Sequence, residues 1–359
     1  MKRRRIAIYP VFADTLPIVR YYQHYRADVE ITELISSPGS AACGKDASFL
    51  DNREELGILV KPEDEINPNA WDEMILLYHD YVGFTQMEVQ RMFYDPLISV
   101  ATQNKKKTVF FNNLTRNNQQ QAVRQRKNEH HGKLNPIKKY TVLVGGIVGS
   151  ANSLEVYLNL YGELSKHLKV AAFSSSVHAE ACDTESLHNV IYNTTISEAD
   201  KILAINRLII QKASAINADL VLVHIDEALV PLNNSYTNGF GIVPYMISHI
   251  ISPDFSICCL PHEYANDGFI TEFAQGLEER FRFMPDVWHI SNVSLDHSAA
   301  EIIDANMLYA PIETIKPIVE EQQNAEHILG SLVENKFLLN CTDKILDDFR
   351  IYKTVEVLN

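Results

Sequence analysis

The stretch Tyr140–Leu160, YTVLVGGIVGSANSLEVYLNL, runs from an apolar segment through a glycine-rich turn into an amphipathic segment with helical spacing. The unbroken apolar run predicts a strand covered on both faces, and the spacing behind the turn predicts a helix. A phosphate-binding loop is built this way: glycines let backbone N–H groups turn inward, and a helix N-terminus stands behind them. Counted from Gly146, Gly-Ile-Val-Gly-Ser-Ala-Asn-Ser supplies the strand, the turn and the final Ser153. Ala151 occupies the place of the last glycine and Asn152 that of the phosphate-gripping lysine. Without that lysine the backbone donors remain, so anion binding survives better than catalysis. The candidate cradle is Gly145, Gly146, Gly149, Ser150, Asn152 and Ser153. Three readings stay open: a degenerate anion or nucleotide site, a structural glycine turn, and an active site whose lysine comes from elsewhere.

Downstream, the pattern repeats. KVAAFSSS, ADLVLVHID, DFSICCLP and DVWHISNV read as buried strands, with helical segments between them. Near-continuous apolar strands alternating with helices predict a parallel sheet. Ligands of such sheets bind beyond the carboxyl ends of the strands. At one such end, Asp226-Glu227 resembles the acidic partner of a phosphate loop: Asp226 would hold magnesium and Glu227 would orient water. His262-Glu263, at another, is a candidate acid–base pair. No cofactor is assigned, although the loop would suit a nucleotide with magnesium. His178, Cys182 and His188 match no standard zinc spacing, a polar loop is expected there, and no metal is assigned.

Upstream, RRIAIYPVF, VEITELIS, ELGILVK, DEMILLYHDY and KTVFFNNL read as strands of a first α/β domain over residues 1–112. Asp14 is the expected N-cap of a helix over DTLPIVRYYQHY. Thr85 and Glu88 stand at capping-box spacing before another helix. Residues 113–139 are rich in Asn, Gln, Lys and Arg and predict a linker, with helix-forming residues at Gln119–Arg126. The second domain spans 140–297, and a helical extension follows over 298–359. The fold class is therefore α/β: two Rossmann-like, doubly wound parallel-sheet domains, the second P-loop-like with a degenerate phosphate loop.

The 359 residues carry 46% hydrophobic and 22% charged side chains and a net charge of −14. Between Ala101 and Tyr140 there are ten Lys/Arg against Glu129 alone, so the remainder carries −23. An acidic body argues against general nucleic-acid binding. No apolar run reaches 18 residues, which argues against a membrane span. Five cysteines without a CxxC fit a reducing compartment, and the basic-then-apolar start reads as a strand, so a cytoplasmic location is expected. Cys258-Cys259 is expected to be buried as two small hydrophobes.

Several phrases resemble a bacterial, largely clostridial, family of peptide maturation system proteins, found with ribosomally made natural-product peptides. They are Asn152-x-x-Glu155 after the glycine turn, ADLVLVHID, Phe240-Gly241-Ile242 before YMISHIISPD, and RFRFMPDVWHISNVSLD with Ser291-Asn292. The likeness covers roughly residues 140–297. It implies an accessory role, with a precursor peptide and a modifying enzyme as partners, and no known reaction. The family often has a lysine after the turn asparagine; Ser153 stands there in this chain, which favours binding over nucleotide hydrolysis. The two other functions the sequence admits are an ATP-dependent peptide-modifying enzyme and a leader-peptide chaperone that uses the basic segment.

Overall fold

In the computed structural model the described residues are 3–358 except 38, 80, 82, 112–131, 150, 232–236, 296–306, 323–328 and 333. Ser150 and the expected helix at Gln119–Arg126 lie outside them. The chain divides into two compact units. The first holds residues 1–115 with Val177–Asp183, and the second holds 116–176 with 184–359. Both units are α/β with parallel sheets.

In the first unit, β1 (Arg4–Tyr9), β2 (Val29–Ser36), β3 (Val60–Pro62), β4 (Glu73–Leu77) and β5 (Lys107–Phe111) pair in the order β3-β2-β1-β4-β5, every pair parallel. Ile6, Ile8, Leu34, Trp71 and Leu76 fill its core. Thr15, not the expected Asp14, stands at the N-cap position of the helix Leu16–Tyr25, and it makes no side-chain cap bond. Thr15 Oγ1 accepts from Phe12 N (2.9 Å), which closes a turn just ahead of the helix, and Asp14 points instead toward His79. The capping box at Thr85 is present: Thr85 Oγ1 accepts from Glu88 N and Thr85 N donates to Glu88 Oε2. A π-helical turn at Gln90–Tyr94 then interrupts the helix just before Pro96, which has no N–H for the carbonyl four residues back. Thr85→Ala is expected to lower the stability of this unit by about 1 kcal/mol, read from its urea midpoint; an unchanged midpoint would contradict the cap.

In the second unit, β6 (Tyr140–Gly146), β7 (Val170–Ser174), β8 (Glu185–Ser186), β9 (Leu220–Ala228), β10 (Phe255–Pro261), β11 (Val287–Ser291) and β14 (Leu329–Gly330) form one parallel sheet. The order is β14-β11-β10-β6-β9-β7-β8. β6 is central, between β9 and β10, because its residues are apolar enough to be buried throughout. β12 (Val293–Leu295) and β13 (Met307–Tyr309) form a separate antiparallel pair. The C-terminal segment is helical over Ile312–Gln322 and Asn335–Leu358 and supplies the edge strand β14. Among the described residues no helix is long and apolar enough to cross a membrane.

Candidate functional site

The glycine turn follows β6. Ile147 N donates to Cys259 O and Leu229 N donates to Gly146 O, both at 2.9 Å, so β6 keeps its neighbours as the turn begins. The Ile147 amide thereby ties the start of the turn to β10. Ile147, Val148 and Ala151 are buried. Gly146 is required by packing, since a Cβ there would stand 2.7 Å from the Val148 carbonyl oxygen; a Cβ on Gly145 would stand 2.9 Å from Leu229 Cδ2, the movable end of a side chain. Asn152 is left-handed (φ 61°) and caps the helix Ser153–Leu164 without a side-chain cap bond. Its amide donates instead to Asn292 Oδ1 (3.2 Å).

Ser153 stands where a phosphate loop keeps its magnesium hydroxyl, yet it is buried and already bonded. Its Oγ lies 3.0 Å from His224 Nε2, while His224 Nδ1 lies 2.7 Å from Ser174 Oγ. Tyr157 stacks on the imidazole at 5.1 Å. Burial lowers the His224 pKa to about 3, so the ring is neutral in the folded protein. Ser153, His224 and Ser174 thus satisfy one another inside the core. The Ser153 hydroxyl is therefore occupied inside the core, where a phosphate loop would offer it to magnesium.

Asp226 and Glu227 end β9 beside the turn. A Cβ on Gly149 would lie 3.5 Å from Asp226 O, so the expected neighbourhood of turn and acid is present. The Asp226 side chain is 39% exposed, with Oδ1 4.0 Å from His224 Nε2. Glu227 accepts from Ser175 Oγ and from Tyr192 Oη. Ser175 Oγ also accepts from Asp226 N (2.8 Å). Burial, then the Glu227 charge, pushes the Tyr192 phenol well above its ordinary pKa.

Beside Gly149 and Glu227 opens a cavity of about 590 Å³. Its polar wall is Tyr192, Glu198, Lys201, Glu227 and Asn238; Ile191, Ile242, Val243, Met246 and Met307 supply its apolar wall. Lys201 projects from the helix Glu198–Ala215, whose cap Ser197 accepts from Asp200 N. Its side chain is only 11% exposed, and its ion partner Glu198, at 3.4 Å, is 68% exposed. The rim at Gly239, Phe240 and Gly241 is left-handed throughout. A Cβ on Gly241 would lie 2.7 Å from Leu229 O, which accounts for glycine there.

His262 and Glu263 do not line this cavity. His262 Nδ1 donates to Val293 O (3.1 Å). The Glu263 carboxylate accepts from Ser294 Oγ (2.7 Å) and Leu295 N (3.0 Å). The pair fastens β12 against the end of β10. Cys258 and Cys259 are buried free thiols whose pKa values burial raises. Among the described residues no group of three or more His, Cys, Asp or Glu is placed to hold a metal.

Sequence reasoning missed Lys201, Tyr192 and Asn238. For Lys201 the available signal was its place one turn after a cap, at a strand-end mouth. A second polar cluster, at the carboxyl edge of the first unit's sheet, was also missed. There Tyr9 Oη donates to Glu63 Oε1 (2.6 Å), Ser37 Oγ and Tyr81 Oη share a bond (3.0 Å), and His79 Nδ1 lies 3.5 Å from Asp14 Oδ2.

No protein-family model matches the chain, and no curated protein matches it in sequence. Among solved structures it is similar to a DUF1611 family protein from Anabaena variabilis, with 11% identity, a TM-score of 0.52, and coverage of 96% of this chain and 100% of that one. That likeness supports the two-unit α/β fold. A putative plasmid partition protein from Borrelia burgdorferi bound to AMPPNP is 13% identical, covers 59% of this chain and 98% of that one, and has a TM-score of 0.32. The signal recognition particle receptor from Elizabethkingia anophelis is 13% identical, covers 62% and 68%, and has a TM-score of 0.34.

Proposed function

We propose that this chain is a cytoplasmic accessory protein in the maturation of a ribosomally made peptide. Its second unit binds a segment of the precursor peptide in the cavity beside Glu227, rather than a nucleotide in the glycine turn. The partners on this reading are the precursor peptide and the enzyme that modifies it. One observation carries the choice of ligand: the Ser153 hydroxyl is locked to His224 inside the core. The buried Ile147, Val148 and Ala151 support it by occupying the turn. The apolar wall and the satisfied Glu227 carboxylate suit a peptide better than a polyphosphate, which Glu198 and Glu227 would repel.

Lys201 favours a second reading, an ATP-using enzyme with a displaced lysine, because it faces the same cavity as Gly149. Calorimetric titration with Mg-ATP separates the two. No saturable binding is expected, in the wild type or in Asp226→Ala. Magnesium-dependent binding that Asp226→Ala abolishes would establish the second reading and overturn the first.

A further inference from the structure

We propose that the cavity beside Glu227 takes a cationic side chain, lysine or arginine, of the bound peptide, with its charge on Glu227 and Tyr192 and a neighbouring apolar residue on the rim. This rests on the reading that the second unit binds peptide there, and it names the chemistry of the residue that is read.

Glu227 is a carboxylate with hydrogen bonds but no counter-ion. It lines the 590 Å³ cavity near the end of β9. Its two oxygens accept from Ser175 Oγ and Tyr192 Oη. Both donors are neutral hydroxyls, so they fix the carboxylate in place without cancelling its charge. A carboxylate has about four lone-pair sites, and these bonds use two of them. Among the described residues Glu227 forms no ion pair. Lys201, the cation on the same wall, bonds Glu198 instead, at 3.4 Å. With Glu198 and Glu227 against Lys201, the wall carries a net negative charge, which favours a cation and repels an anion.

The rest of the wall limits which cation fits. Tyr192 lines the same cavity, is half exposed, and donates to the Glu227 carboxylate. An aromatic ring beside a carboxylate suits an ammonium or a guanidinium. Ile191, Val243, Met246 and Met307 supply apolar surface for the methylene stem of a basic side chain, which an inorganic cation lacks. The rim favours a peptide over a lone cation. Phe240 is left-handed (φ 57°) and 67% exposed, so an aromatic residue is held in a costly conformation while its ring gains little burial in this chain. Ile242 and Tyr245, three positions apart on the helix Ile242–Ser248, are exposed as well. Ile242 also lines the cavity, so the apolar rim and the acidic wall are continuous. A basic residue next to an apolar one covers both.

Calorimetry on the full chain uses three probes. They are acetyl-arginyl-leucinamide, the citrulline analogue in which a neutral urea replaces the guanidinium, and butylguanidinium, which has the charge and stem without a peptide. The arginyl peptide is expected to bind at least about tenfold more tightly than the citrulline peptide. Glu227→Gln is expected to erase that preference by weakening the arginyl peptide. Lys201→Met removes the competing ammonium and is expected to widen the preference by about threefold, so the site stays testable even where Glu227→Gln does not fold. Ile242→Ser is expected to weaken both peptides alike. Equal binding of the two peptides, a preference that survives Glu227→Gln or shrinks in Lys201→Met, or no binding of any probe would each overturn the site. Butylguanidinium binding as tightly as the arginyl peptide, or wild-type affinities in Ile242→Ser, would overturn the assignment to a peptide with an apolar neighbour. The two readings fail differently. If the maturation role is wrong, the precursor peptide does not bind but the arginine–citrulline preference persists. If only the cationic site is wrong, the precursor binds and replacing its lysines and arginines with glutamine makes no difference.

Discussion

Alanine in place of Gly146 is expected to lower the stability of the second unit by about 2–4 kcal/mol, read from the urea midpoint. The added Cβ would meet Val148 O at 2.7 Å, with Ala151 Cβ at 3.4 Å and Cys259 O at 3.5 Å. None of these atoms is the free end of a flexible side chain. The backbone here cannot yield cheaply, since Gly146 O accepts from Leu229 N and Ile147 N is bonded to Cys259 O. Gly149→Ala is the internal control. Its Cβ would meet only Asp226 O, at 3.5 Å, which is ordinary contact, so a change within about 0.5 kcal/mol is expected. A glycine kept for the approach of phosphate would behave otherwise: its replacement would leave the ligand-free protein as stable as before. Equal, small effects at both positions would contradict the packed turn.

The second large effect is a dependence on pH. His224 titrates near 6.5 when unfolded and near 3 when buried in the folded protein. A depressed folded pKa means that, between these values, the unfolded chain binds a proton that the folded one refuses. The stability from the neutral ring is therefore fully present above about pH 6.5 and is lost as pH falls toward 3. The slope is about 1.4 kcal/mol per pH unit. Between pH 7 and pH 5 the wild type is expected to lose about 2 kcal/mol more than His224→Gln, whose side chain does not titrate. The same loss in both proteins would show that the ring is not held neutral by burial.

Much of this architecture was legible in the sequence. The apolar run Tyr140–Val144 and the segment ADLVLVHID have little to offer water, so both had to be interior strands, and they pair as β6 and β9. The capping pair Thr85 and Glu88 is a local device and was readable for that reason. Asp14 and Thr15 are both cap-type residues, and which of them stands at the helix start depends on a turn back to Phe12, where the Thr15 hydroxyl is used.

The site was less legible because its geometry is tertiary. The glycines that let a backbone wrap phosphate also let two strands and a turn pack without side chains, and the composition is the same. What separates the cases is Leu229 against Gly145 and His224 against Ser153, contacts between residues more than 70 positions apart. His262-Glu263 looked like an acid–base pair because the bonds to Val293 and Leu295 cannot be read from neighbours in sequence. Lys201, three residues after Glu198, looked like half of an exposed helical pair; only the fold reveals that it is covered and faces a cavity.

Hydrogen exchange across residues 145–153, with and without saturating Mg-ATP, tests the closed turn most directly. The Ile147 amide is held by Cys259, and Ile147, Val148 and Ala151 are buried. The same exchange rates are expected in both conditions. Slower exchange across the turn on addition of Mg-ATP would contradict the account.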